Sequence, residues 1–173
     1  MSITYRRFIT LLGLILVAAP ARTIAQEAVD SEQTLTGIDY DEHLVEQVAA
    51  GLKVGIAAQA AVAEVILTSG YVPLNRTQVG MTTEPTDMNG RYVTSVDVVD
   101  GVVVVLFGND ASEDLQGKTI GLQPFWTPDH SIRWVCGRLI PATLFRLRAT
   151  LNGGATAAKK TTVPDYALPK DCR

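Results

Sequence analysis

The stretch from Asp41 to Ser69 limits what the rest of the chain can build. Within it Leu44, Val48, Leu52, Ile56, Ala60, Ala63 and Leu67 recur at three- and four-residue intervals, which predicts one apolar face of an amphipathic helix. Asp39 or Asp41 can cap its start, and Gly70 sits where a helix ends. Gly51 and Gly55 interrupt it, each at a cost of about 1 kcal/mol relative to alanine, so they predict that something packs close against that turn. A helix with a single apolar face has to bury that face against another element.

The downstream sequence supplies that element. A turn-rich segment from Tyr71 to Gly90, with Pro73, Asn75, Pro85 and Asn89, ends the helix. From Arg91 to Val98, alternation predicts a strand with Tyr92, Thr94, Val96 and Val98 on one face and Val93, Ser95 and Asp97 on the other. Asp100-Gly101 is a hairpin signal, and Val102 to Phe107 follows as a continuous apolar strand. Gly117 to Leu122 and Ser131 to Cys136 read as third and fourth strands. The order predicts an α+β fold: an amphipathic N-terminal helix on a four-stranded antiparallel sheet, followed by a C-terminal loop between two cysteines. Ala142 to Leu151 reads as a short helix or an extra strand, Gly153-Gly154 breaks it, and Pro164 and Pro169 keep the tail extended. The loop presents charge and little obvious core.

Residues 1–25 read as a signal peptide. Arg6 and Arg7 precede an uncharged, mostly apolar run from Phe8 to Ala19, which Pro20 ends. That run falls short of the roughly 20 residues that span a bilayer and has the length of a signal core. Small residues place cleavage after Ala21 or Ala25, with no stable membrane span expected after it. Residues 26–40 are acidic and lack apolar periodicity, so they read as a flexible leader. Residues 41–173 form the globular domain. The expected location is exported, either periplasmic or secreted.

Export changes the charge. The chain has 15 basic and 18 acidic residues; removal of Arg6, Arg7 and Arg22 leaves 12 against 18. The remainder divides sharply. Gln26 to His130 holds 4 basic and 16 acidic residues, whereas Ser131 to Arg173 holds 8 basic and 2 acidic. One expectation is intramolecular, a basic tail neutralised by folding back on an acidic body. The other is an anionic partner for the basic end. The two cysteines, Cys136 and Cys172, form an isolated pair in an oxidising compartment, which points to a disulfide. It would close 35 intervening residues and contribute about 3–4 kcal/mol on the chain-entropy model. A metal or redox pair is the alternative, which the wide separation and two scattered histidines do not support.

Enzymatic readings find little to stand on, and no catalytic residue, cofactor or metal is assigned. Thr127-Pro128-Asp129-His130 reads as a turn before it reads as the seat of a general base. Asp39, Asp41 and Glu42 fit helix capping. Asp110, Glu113 and Asp114 lack the glycine and distal glutamate of an EF-hand loop and read as a solvated turn. Asn75-Arg76-Thr77 matches a glycosylation sequon, taken here as chance.

Several segments in order carry a family resemblance. Ala50-Gly51-Leu52-Lys53, Gly70-Tyr71-Val72-Pro73 and Val79-Gly80-Met81 come first. Gly90 to Val96, Gly101 to Gly108 and Gly117 to Pro124 follow, then Ile132-Arg133-Trp134-Val135-Cys136 and the ending Leu168-Pro169-Lys170-Asp171-Cys172-Arg173. Over about residues 44–173 the chain resembles the globular head of a type IV pilin. The resemblance implies a helix on an antiparallel sheet and a disulfide-bounded C-terminal loop that often serves as an exposed recognition region. It departs from the family at the start, where Phe8 follows Arg7 rather than glycine and no acid occurs in the apolar run. The chain therefore reads as lacking the prepilin leader and the apolar assembly helix. The implied function is an exported, non-catalytic pilin-like protein in type IV pilus biology or cell adhesion, acting through that loop on a protein partner such as pilins or a surface receptor. The alternatives are a DNA-binding receptor for DNA uptake and a soluble regulator of pilus assembly. The residues that would contact a partner or DNA are Arg138, Arg146, Arg148, Lys159 and Lys160, with Phe145 or Trp134 available to stack.

Overall fold

The computed structural model describes residues 41–127, 129, 131–140, 145–146 and 155–173, all within the unit formed by residues 37–173. The expected signal peptide and acidic leader lie outside the described residues.

The helical stretch is present as two elements, not one. α1 (Asp41–Val54) and α2 (Ile56–Ser69) meet at Gly55 with a bend of 44°. At the break the Gly55 N–H reaches back only three residues, to the Leu52 carbonyl at 3.2 Å, before the four-residue ladder resumes from Gln59 to Gly55 at 3.0 Å. The buried stripe runs through Leu44, Val48, Gly51, Gly55, Ala58, Val62 and Ile66. The predicted face holds through Val48 and then fails: Ile56, Ala60 and Leu67 are exposed, and Ala63 is half-buried. The cause is geometric. A four-residue step overruns a helical turn by about 40°, so repeated four-residue steps walk off the face that an average of 3.6 residues keeps. Both glycines therefore lie on the buried side. Phe107 supplies the close neighbour, since a Cβ at Gly51 would overlap its ring. No single described helix is long and apolar enough to cross a membrane.

The four predicted strands form an antiparallel meander in the order β1 (Val93–Val99), β2 (Val102–Phe107), β3 (Thr119–Trp126) and β4 (Ile132–Cys136). A short β5 (Phe145–Arg146) joins β3 opposite Phe125 and Trp126, which makes part of the Ala142–Leu151 segment an extra strand. The β1–β2 hairpin turns on Asp100 and Gly101, both at positive φ (50° and 77°), as a two-residue turn between twisted strands requires.

Two strand expectations need correction. Val93 was expected to face away from Val96 and Val98, yet all three are buried. The register shifts between Val93 and Ser95, and this bulge turns Val93 to the core side opposite Phe107. β3 runs on to Trp126, past Leu122, despite Pro124. β2 pairs with β3 only up to Leu122 and the described part of β5 joins only at Phe125, so among the described residues no ladder partner on that side faces the missing N–H of Pro124.

Val96, Val98, Val103, Val105, Phe107, Ile120 and Leu122 bury against the helices. The connection from α2 to β1 is tied down by Arg76, which is buried without a carboxylate among the described residues. Its guanidinium donates to the Thr82 carbonyl at 2.8 Å, to the Val96 carbonyl and to the Thr82 hydroxyl at 3.3 Å. The sequon beside it is a capped turn, in which Asn75 Oδ1 accepts from the Thr77 hydroxyl (2.7 Å) and the Gln78 N–H (3.2 Å).

Candidate functional site

The Cys136–Cys172 disulfide is formed and closes the C-terminal region, as the isolated cysteine pair predicted. Next to it, the Arg138 N–H donates to the Cys172 carbonyl at 2.8 Å and the Gly137 N–H to the Gly121 carbonyl at 3.0 Å. The chain then returns across the sheet face that the helices leave open. Gly121 makes this possible: a Cβ there would stand 2.8 Å from both the Cα and the carbonyl oxygen of Ala157. The Ala157 N–H donates to Gln123 Oε1 at 3.1 Å, and the Ala155 N–H to Asp100 Oδ2 at 3.2 Å.

Threonines fasten the next few residues to β3. The Thr161 hydroxyl accepts from the Gly121 N–H at 3.1 Å and donates to the Ala157 carbonyl at 2.7 Å. The Thr119 carbonyl accepts from the Thr162 and Val163 N–H groups at 2.8 and 3.1 Å, and the Thr119 hydroxyl donates to the Lys160 carbonyl at 2.7 Å. Past this point Val163, Ala167, Leu168 and Cys172 are buried. The expectation of little core in this region is therefore wrong, because non-local contacts with β3 bury its small and apolar residues. Gln123 is itself buried, and its Nε2 has no partner among the described residues.

This arrangement treats the predicted contact residues unequally. Arg138 is drawn into its own segment, with an ion pair to Asp165 and a 3.1 Å bond to the Val163 carbonyl. Lys159 is exposed, and Lys160 is half-buried with its Cβ against Gly121. Arg146 sits in β5 opposite Phe125. Arg148 lies outside the described residues. Trp134 is half-buried and packs against the core, which removes it as a free stacking ring. The sequence reading missed Arg133, an exposed residue on β4 that also pairs with Phe125, so positions 133, 125 and 146 form one row across three strands. It also missed Leu139 and Ile140, which follow Arg138 on the surface with Ile140 at 70% exposure. The signal for this pair was available, as two adjacent large apolar residues in a loop without helical or strand periodicity.

The described ion pairs stay within their own charge blocks: Arg91–Asp110 at 3.5 Å in the acidic part and Arg138–Asp165 in the basic part. The tail does fold back on the acidic body. It is held there by the Ala155 N–H on Asp100 and by the Tyr166 hydroxyl on Asp114 at 2.8 Å, not by its cations. The expected charge neutralisation is absent among the described residues because the sheet-facing side of the return segment is alanine and threonine.

The remaining candidates resolve into structure. Asp129 accepts hydrogen bonds from the Thr127 and Ser131 hydroxyls in the β3–β4 turn, and these hold its carboxyl below the usual aspartate range, a poor setting for a base. His130 lies outside the described residues. His43 meets Gln47 at 3.3 Å, and Gln47 clasps Ser112 through the Ser112 N–H (2.8 Å) and hydroxyl (2.7 Å), tying α1 to the β2–β3 loop.

Comparison with known proteins agrees with this architecture. Residues 47–173 match the family model for pilin, a bacterial filament protein. A type IV major pilin protein, PilE1, of Neisseria gonorrhoeae is 30% identical over 173 residues, covering 98% of this chain and 88% of its own length. A fimbrial protein of Neisseria meningitidis serogroup A / serotype 4A is 30% identical over 176 residues, covering 98% and 95%, and one from serogroup B is 29% identical with the same coverage. The chain belongs to the pilin family of bacterial filament proteins.

Proposed function

We propose that this pilin-family chain is an exported, non-catalytic component of type IV pilus biology, and that its disulfide-closed region is the adhesive face. The observation carrying this reading is a combination within one segment. Its backbone is fastened to β3 by Thr119, Gly121, Gln123 and Thr161, while Lys159, Lys170, Leu139 and Ile140 project from it into solvent. A rigid frame with exposed apolar groups and with lysines that have no ion pair among the described residues suits contact with an anionic surface, because little ordering entropy is lost on binding. Surface binding by cells carrying Lys159→Glu with Ile140→Ser tests the reading. Loss of adherence with pilus number unchanged supports it, and unchanged adherence overturns it. Export through residues 1–25 belongs to the same reading, and a mature protein that begins at Arg22 or Gln26 would support it.

A second reading, binding of nucleic acid, draws on the row of Arg133 and Arg146 flanking Phe125 and on Lys159, which is exposed on the return segment. Two or three phosphate contacts give a shallow dependence of affinity on salt, a slope of about −2 to −3 on log–log axes for duplex DNA. Titration with a random-sequence duplex distinguishes the readings: no binding at low salt excludes this one and leaves adhesion standing.

A further inference from the structure

The two edges of the sheet are treated differently. Along β1 the outward backbone groups are taken up by the chain itself. The Arg76 guanidinium donates to the Val96 carbonyl, the Val98 N–H donates to Asp97 Oδ1 at 2.7 Å, and the Asp100 N–H donates to the Leu74 carbonyl at 2.9 Å. Covering an edge in this way keeps foreign strands from adding to it. β4, at the opposite edge, pairs only with β3.

The β3–β4 ladder fixes which groups of β4 face outward. Its hydrogen-bonded pairs are set at both ends, by the Thr127 N–H on the Ser131 carbonyl and the Gly137 N–H on the Gly121 carbonyl, each at 3.0 Å. Alternation then turns the backbone groups of Arg133 and Val135 toward β3 and those of Ile132 and Trp134 away from it. No hydrogen bond reaches these outward groups among the described residues. Beyond Trp134 the disulfide brings the chain's last turn beside Cys136 and ends the open stretch.

The side chains along this edge decide what can fill it. Ile132 and Trp134 are half-buried on the helix side of the sheet, whereas Arg133 is exposed on the other face without an ion pair among the described residues. A second copy is disfavoured. The antiparallel register that uses both outward residues sets Ile132 of each copy opposite Trp134 of the other, and so sets Arg133 against Arg133, a destabilising pair. A strand of the pattern apolar–acidic–apolar meets the edge with opposite charge. Its apolar residues extend the Ile132 and Trp134 side, and its carboxylate lies across from Arg133.

We propose that the open edge of β4 receives an extended segment of a partner protein, apolar–acidic–apolar in sequence, as a further antiparallel strand. Backbone bonds to Ile132 and Trp134 hold it, and Arg133 selects it, as in other recognition by strand addition. The proposal uses none of Lys159, Leu139 and Ile140, so it stands or falls apart from the adhesive reading. The nucleic-acid reading shares Arg133, but a duplex supplies no strand to the edge, and protection of the Ile132 and Trp134 amides separates the two.

The test is amide NMR and hydrogen exchange on the isotope-labelled full exported chain, titrated with the capped peptide acetyl-Thr-Val-Glu-Val-Thr-amide. The Ile132 and Trp134 amides should shift and gain protection, while those of Val96 and Val98 on β1 stay unchanged. N-methylation of both peptide valines should abolish binding, because these residues carry the backbone bonds. Arg133→Glu should weaken binding about fivefold, an opposite-charge pair having become a like-charge one. The same peptide with lysine in place of glutamate should recover it. Arg133 is exposed, and the unchanged amide spectrum of the variant away from β4 checks that it folds. Absence of binding overturns the proposal, as does binding that survives N-methylation or is indifferent to Arg133→Glu. Ile132 and Trp134 amides already protected in the free chain would show an edge closed from within, and would likewise overturn it.

Discussion

At the scale of single residues, Gly51 and Gly55 look equivalent in the sequence and are not equivalent in the fold. Gly51 is where the Phe107 ring passes close to the α1 backbone, and any side chain there must displace that ring or the strand beneath it. Gly55 has room: a Cβ would lie 3.4 Å from Leu122, Leu52 and Val105, an ordinary contact distance, and its φ of −72° suits any residue. Gly51→Val should therefore destabilise by about 1–3 kcal/mol through overpacking. Gly55→Ala should be neutral or stabilise by up to about 1 kcal/mol through helix propensity and a stiffer unfolded chain. Urea unfolding midpoints of the two variants measure the difference. Equal losses would mean that the bend itself, and not the Phe107 contact, requires both glycines.

At the scale of elements, what was legible depended on how local the cause was. Asp100-Gly101 marks its hairpin because the turn needs positive φ at just those two residues. The four strands could be read because alternation and apolar runs are local as well. The β1 bulge was hidden, since it depends on how Val93 meets Phe107 across the sheet. The second half of the helical face was hidden by a pattern of four-residue steps that looks periodic and drifts. Least legible was the return segment, whose anchors on β3 lie 34 to 43 residues away in sequence.

Thr161 probes that element directly. Its hydroxyl is buried and used twice, so Thr161→Val leaves the Gly121 N–H unpaired and the Ala157 carbonyl with only the Lys160 N–H, at about 1–3 kcal/mol. Thr162 is exposed, and its hydroxyl accepts from the Thr119 N–H at 2.8 Å, a role water can take over. Thr162→Val should cost less than about 1 kcal/mol. Hydrogen exchange adds a local reading: the Gly121 amide should exchange faster in Thr161→Val and hardly change in Thr162→Val.

At the scale of the whole molecule, helices cover one face of the sheet, the return segment covers the other, and a disulfide joins β4 to the chain's last turn. The sulfur bridge and the hydrogen bonds secure different parts of the same region. Cys136–Cys172 holds residues 137–140 and 170–173, with the Arg138 and Gly137 N–H bonds beside it and the Arg138 and Arg173 guanidiniums bonded to Val163, Asp165, Tyr166 and Leu168. Residues 155–163 are held by Asp100, Thr119, Gly121 and Gln123, none of which depends on the bridge. Replacing both cysteines by alanine should lower stability by about 3–4 kcal/mol through a freer unfolded chain, and raise the urea m-value because that chain exposes more surface. In the folded variant, the Arg138 and Cys172 amides should exchange faster while those of Thr162 and Val163 stay protected, since the latter donate to the Thr119 carbonyl. The functional consequence follows from the same division. Adhesion that depends on Lys159 should survive removal of the bridge under conditions where the variant remains folded, whereas adhesion that depends on Leu139 and Ile140 should fall with it. Simultaneous loss of protection at Arg138 and Thr162 would show that the disulfide holds the whole region and that the threonine anchors are secondary.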